Sequence, residues 1–125
     1  MDIIISNASG KPIYEQIVSQ IKQLILSNAL QAGDALPSMR LLAKDLRISV
    51  ITTKRAYEEL EREGFIETIV GKGSFVASKN EDFLKEEQLR LIEGHLHKAT
   101  TLARQYGIAE EELVSIIHLL YQEDI

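Results

Sequence analysis

"PSMRLLAKDLRISVITTKRAYEEL", Pro37 to Leu60, contains two serines that each stand just ahead of apolar residues recurring at helical spacing. A serine oxygen at such a place accepts one of the backbone N–H groups that the first turn of a helix leaves without a partner. Ser38 opens a short helix, about Ser38 to Leu46, with Leu42, Ala43 and Leu46 facing inward. Ser49 opens another, in which Thr53, Ala56, Tyr57 and Leu60 share one side and which Gly64 ends. Two short helices joined by the tight turn at Arg47-Ile48 make a helix-turn-helix.

The flanks fit around this unit. Upstream, Pro12 suits a first helical turn, and Ile13, Ile17, Ile21, Leu24 and Ile25 predict a helix from about Lys11 to Ser27. Gly33-Asp34 then reads as a turn. Downstream, "FIETIVGKGSFVAS", Phe65 to Ser78, has β-branched and aromatic residues on both sides of Val70-Gly71-Lys72-Gly73, the mark of a hairpin. A basic-tipped hairpin directly after a helix-turn-helix is a wing.

Beyond the wing the pattern is helical again. Asn80 is the expected cap of a long helix, with Glu81 and Asp82 well placed near its positive end. Along it Leu89, Ile92, Leu96, Ala99, Ala103 and Tyr106 alternate spacings of three and four, and Gly107 terminates it. Glu110 to Glu112 start a final helix whose apolar stripe is Leu113, Ile116, Ile117, Leu120 and Tyr121. Two helices cannot bury both stripes by themselves, and a second copy of the chain is the simplest partner. The dimerisation residues expected are Leu89, Ile92, Leu96, Ala99, Ala103, Tyr106, Leu113, Ile117 and Leu120. The fold class expected is mainly α with a small β-hairpin, an N-terminal winged helix-turn-helix (1–78) followed by a two-helix dimerisation region (79–125).

Charge supports the division. The 125 residues carry a formal net charge of −5, yet residues 1–78 hold nine Lys/Arg against nine Asp/Glu, and residues 79–125 hold five against ten. Within the neutral part, Leu36 to Tyr57 has five cations and only Asp45 against them. A basic stretch followed by an acidic module points to a nucleic-acid surface and a region that stays off it.

Turning Thr53, Ala56, Tyr57 and Leu60 inward sets Ile51, Arg55 and Glu58 outward at about 100° per residue, with Val50 and Lys54 beside them. In a helix-turn-helix the start of the second helix enters the major groove, where Arg and Lys reach guanine acceptors or phosphates and short hydroxyls reach phosphates. Ile51 gains a thymine methyl as a partner. Arg40 and Lys44 on the preceding helix lie beside the backbone, with Lys72 at the wing tip. The alternative is a winged-helix adaptor that binds a protein and has no sequence-specific DNA affinity.

The stretch "PIYEQIVSQIKQLILSNALQAGDALPSMRLLAKDLRISVITTKRAYEELEREGFIETIVGKGSFVA", Pro12 to Ala77, resembles the N-terminal winged-helix domain of GntR-type bacterial transcription regulators. The short two-helix tail, in place of a large effector-binding domain, is similar to the YtrA-like subfamily. The resemblance implies a homodimeric repressor on a palindromic operator, often governing membrane-transporter genes. It places the DNA-contacting arginine of an LPS-x-R element on Arg40, recognition-helix contacts on Ser49, Val50, Thr52 and Lys54, and the wing glycine on Gly71. Val50 and Lys54 depart from it, since many relatives carry Arg at both, and Lys lacks the bidentate fork.

Other chemistry is not expected. Met1 to Ser9 is too short for a signal peptide, and no apolar run approaches the ~20 residues that span a bilayer, so no membrane insertion and a cytoplasmic place are expected. There is no Cys. His95 and His97, two residues apart on a helix, face different ways, so with His118 they make no metal site. Gly71 and Gly73 lack any phosphate-loop pattern around them, and no nucleophile motif appears. No enzyme activity, metal or cofactor is expected. The partners expected are double-stranded operator DNA and a second copy. A small-molecule effector stays open, Phe83, Tyr106 and Tyr121 being either pocket lining or interface core.

Overall fold

The computed structural model describes residues 1–78 and 81–123, so the expected cap at Asn80 lies outside the described residues. Its elements are α1 (Ile13–Leu26), α2 (Met39–Leu46), α3 (Val50–Arg62), β1 (Ile66–Ile69), β2 (Gly73–Val76), α4 (Glu81–Gln105) and α5 (Glu110–Tyr121). They form two compact units, Met1–Leu84 and Lys85–Ile125. The first has the expected three helices followed by an antiparallel hairpin.

The core of the first unit is the meeting of the stripes read from the sequence. Ile17, Ile21, Ala56, Tyr57, Leu60, Phe65 and Ile66 are buried together, with α3 packed on α1, α2 and β1. Both serine caps form: Ser38 Oγ accepts the Leu41 N–H at 3.1 Å, and Ser49 Oγ accepts the Thr52 N–H at 3.1 Å. Pro12 stands one place earlier than expected, as the N-cap, because its ψ of 148° is extended rather than helical. The turn between α2 and α3 is made by Arg47 in the left-handed region (φ 58°, ψ 48°), which lets the Ile48 N–H reach the Ala43 carbonyl at 3.0 Å. Gly64, at φ 83°, ends α3 in the same manner with the Phe65 N–H on the Leu60 carbonyl.

The wing pairs Ile66 with Val76 and Ile69 with Gly73. Its turn spans Ile69 to Lys72, closed by the Lys72 N–H on the Ile69 carbonyl at 2.9 Å, and needs φ +80° at Gly71. Gly73 thus belongs to the strand, not the turn. The free edge of β2 is covered by the segment read only as a turn: Leu36 N–H donates to Ser74 O, and Val76 N–H to Asp34 O, both at 2.9 Å. That contact ties the wing base to the start of α2 and leaves no bare edge there.

The N-terminal arm was not legible in the helix pattern. Ile3 is buried in the core and Ile5 packs against it, while Ile4 between them points outward. Two glutamines of α1 hold this short extended segment as a neighbouring strand would. Gln20 accepts the Ile4 N–H at 2.9 Å and donates to the Ile4 carbonyl at 2.7 Å. Gln16 does the same for Ser6, at 2.8 and 3.0 Å. The match is geometric, since residues four apart on a helix are ~6 Å apart and residues two apart on a strand ~6.6 Å apart. Gln16 also donates to Ser9 Oγ and to the Lys11 carbonyl, and is itself buried.

In the second unit, Gly107 at φ 69° ends α4, and the Ile108 N–H returns to the Ala103 carbonyl at 2.8 Å. Glu110, Glu111 and Glu112 occupy the first turn of α5 as expected. No described residue of α4 or α5 is buried in the single chain. Ala99, Ala103, Leu113 and Ile117 are half-buried, whereas Leu89, Ile92, Leu96, Tyr106 and Leu120 are exposed. Among the described residues no helix is long and apolar enough to cross a membrane.

Gln16→Ala is expected to lower the unfolding free energy by about 2 kcal/mol, because the buried amide's bonds to Ser6 and to the Ser9–Lys11 turn are lost together. Denaturant titration measures the loss, and faster hydrogen exchange at the Ser6 amide locates it.

Candidate nucleic-acid interface

The rotation of α3 about its axis decides which side chains face out. Thr53 is fully buried, its hydroxyl directed at the Val50 carbonyl (2.8 Å) and the Met39 carbonyl of α2 (3.1 Å). One turn on, the Tyr57 hydroxyl donates to the Pro37 carbonyl at 2.8 Å. Both bonds link α3 to the start of α2, so the angle between the two helices and the roll of α3 are set together. Burial pushes the Tyr57 phenol pKa up to about 12, since the ionised form would lose water and oppose the carbonyl.

The opposite face carries the side chains expected to meet a duplex. Ile51 is 80% exposed and Val50 is 44% exposed, with Lys54, Arg55 and Glu58 exposed beside them. Arg40 and Lys44 lie four residues apart on α2, both exposed. Neither they nor Lys54 has a side-chain hydrogen bond or ion pair among the described residues. At the wing tip Lys72 is exposed, next to Gly71.

The two hydroxyls are arranged more tightly than the sequence reveals. Ser49 Oγ lies 2.8 Å from Thr52 Oγ1 while also capping α3. Two hydroxyls carry two protons and their mutual bond uses one, so one O–H is left to donate to a phosphate oxygen. Arg55 is likewise placed by a contact that spacing could not reveal: its guanidinium carbon sits 3.8 Å from the centre of the Tyr14 ring on α1.

Two of the acids at the far end of α3 and its C-cap are paired with cations. Glu63 pairs with Lys22 of α1 at 2.7 Å, and Lys22 also lies 5.2 Å over the Phe65 ring. Arg62 binds Glu59 through two hydrogen bonds, which hold the Glu59 carboxyl below its ordinary pKa. His95, His97 and His118 are exposed, and among the described residues no three His, Cys, Asp or Glu are grouped so as to hold a metal ion.

The family model for bacterial regulatory proteins of the gntR family matches residues 13–76. The HTH-type transcriptional repressor YtrA of Bacillus subtilis is 39% identical over 111 residues, 89% of this chain and 85% of that protein. A crystal structure of a transcriptional regulator from Oenococcus oeni is similar with a TM-score of 0.79 at 29% identity, covering 94% of this chain and 97% of the other. YtrA from Sulfolobus acidocaldarius, a GntR-family transcription factor, is similar with a TM-score of 0.60 at 36% identity, over 79% of this chain and 97% of that one.

Two substitutions probe the helix-turn-helix frame. Arg47→Gly is expected to raise stability by about 1 kcal/mol in thermal or denaturant unfolding, because a left-handed residue with a Cβ is strained. Tyr57→Phe is expected to cost about 1 kcal/mol at neutral pH. Because the folded-state pKa of Tyr57 lies above its unfolded value, this residue's contribution is intact below pH ~10 and fades as pH rises through about 12. The stability of Tyr57→Phe, followed against pH, is therefore expected to fall less steeply than that of the wild type across that window.

Proposed function

The chain belongs to the gntR family of DNA-binding bacterial transcription regulators, and from that premise we propose that it is a homodimeric repressor occupying a palindromic operator, with no catalytic step. The observation that carries this reading is the α3 surface itself: burial of Thr53, Ala56, Tyr57 and Leu60 leaves Ile51, Lys54 and Arg55 exposed, flanked by Arg40 and Lys44 on α2. Lys54 and Arg55 reach guanine edges or phosphates, Ser49 and Thr52 reach a phosphate, and Val50 and Ile51 meet thymine methyls. Lys72 and Gly71 carry the wing onto the neighbouring backbone. Residues 1–78 thus act as the DNA-binding domain.

Residues 79–125 act as the dimerisation tail. What supports this is the apolar surface that α4 and α5 leave uncovered, with Ile92, Leu120 and Tyr106 more than half exposed. Covering such faces with a twofold copy would place two α3 helices on one duplex, and half-site spacing would follow from the dimer. The excess acid of the tail would keep it off the phosphates. The repressor role and the control of membrane-transporter genes rest on the family resemblance and on the name of the B. subtilis relative.

Selection of bound fragments from random duplex DNA tests the reading. A recurring inverted repeat is expected, with half-sites about one helical turn apart or a multiple of it. Binding without salt dependence would return the protein-adaptor reading instead. Lys54→Ala is expected to weaken binding in gel-shift titration and, for a phosphate contact, to reduce the salt slope by about one. Leu96→Glu is expected to give monomers in analytical ultracentrifugation while the N-terminal unit stays folded.

A further inference from the structure

Arg55 differs from the four cations nearest it on the α2 and α3 surface in being held by a different helix. The side chains of Arg40, Lys44, Arg47 and Lys54 have no hydrogen bond, ion pair or ring contact among the described residues. The Arg55 guanidinium lies 3.8 Å from the centre of the Tyr14 ring. Tyr14 stands in the first turn of α1, half-buried against the core, so the ring is anchored from below. So short an approach puts the guanidinium carbon over the ring face. Among the described residues the Arg55 side chain forms no hydrogen bond or ion pair, so its N–H donors are left unengaged.

An ion pair within the helix was available in place of this stack. Glu58 and Glu59 follow Arg55 at the spacings that favour helical salt bridges. Glu59 is bound by Arg62, and Glu58 forms no ion pair among the described residues. Arg55 keeps its full complement of donors and is fixed in direction by a different helix.

We propose that Tyr14 is a positioning residue for DNA recognition: α1 supplies an aromatic shelf that holds Arg55 with its donor edge outward, ready for a bidentate acceptor on the duplex. Two phosphate oxygens or the O6/N7 edge of a guanine offer that acceptor chemistry. The inference rests on the assignment of α3 to the DNA under the proposed function. The rotamer freedom that a loose arginine surrenders on contact is here already removed in the free protein. Lysine at this position would keep the charge but not the fork or the flat stacking face.

A double-mutant cycle in the full chain tests it, read by fluorescence anisotropy at fixed salt on a duplex selected from random sequence and on an unrelated duplex of equal length. If the wild type shows no salt-dependent binding to either duplex, the proposed function and this inference fall together. Given such binding, Tyr14→Leu is expected to weaken it about fivefold, the equivalent of about 1 kcal/mol. Tyr14→Phe, which restores the ring, is expected to stay within about twofold of the wild type. In an Arg55→Ala background Tyr14→Leu is expected to add nothing. Loss on both duplexes assigns the acceptor to phosphate, and loss confined to the selected duplex assigns it to guanine; either supports the shelf. The proposal is overturned if Tyr14→Leu binds like the wild type, if Tyr14→Phe is equally damaged, or if the loss persists undiminished without Arg55. Should Tyr14→Leu fail to fold in a thermal melt, Arg55→Lys leaves α1 untouched. The same loss is then expected, and wild-type affinity from that variant overturns the proposal.

Discussion

A helix packed against three neighbours shows solvent only one side, and α3 is such a helix, resting on α1, α2 and β1. Apolar burial alone would leave its roll loosely set, because hydrophobic contact has no direction. Two directional bonds remove that freedom. Thr53 reaches the Met39 carbonyl and Tyr57 the Pro37 carbonyl, both at the start of α2. Rotating α3 by one residue would break both links to α2 and strand the Tyr57 hydroxyl in the core, where an unpaired polar group costs roughly 1–3 kcal/mol. The basic surface of the protein is thus a consequence of what its interior demands.

The charge of the chain follows the same division. An acidic protein makes a basic surface by placement, not by excess. The cations of α2 and of the start of α3 have little acid facing them, whereas the acids toward the end of α3 meet Lys22 and Arg62. Such surface pairs are screened by water and add little to stability. Their larger effect is to offset negative charge at the far end of α3. The remaining excess of acid lies in residues 79–125.

The two units differ in how complete they are. Met1–Leu84 closes its own core, down to Phe83 at the start of α4, whose ring lies edge-on to Phe65 at 5.7 Å. The described part of Lys85–Ile125 has no buried residue in the single chain although its apolar stripes are long. That uncovered apolar surface is what the proposed dimer would bury.

Much of the architecture was legible because it is local. Serine caps, the isoleucine period of α1, the glycines at the ends of α3 and α4, and the alternation around Gly71 each express a rule that acts within one or two helical turns. Those rules also identified the outward face of α3, since an inward stripe implies an outward one. Local rules have no purchase on contacts between segments distant in sequence. Gln16 and Gln20 look like surface residues of a helix until the N-terminal arm lies along them, and Asp34 to Leu36 look like a turn until β2 arrives beside them. Arg55 looks like any exposed cation until Tyr14, from another helix, comes beneath it. The sequence by itself determined the elements and the outward-facing residues of α3, because periodicity and capping are short-range. Only the tertiary structure decided which of those residues are free and which are held, because that depends on side chains brought together by the packing of α1 against α3.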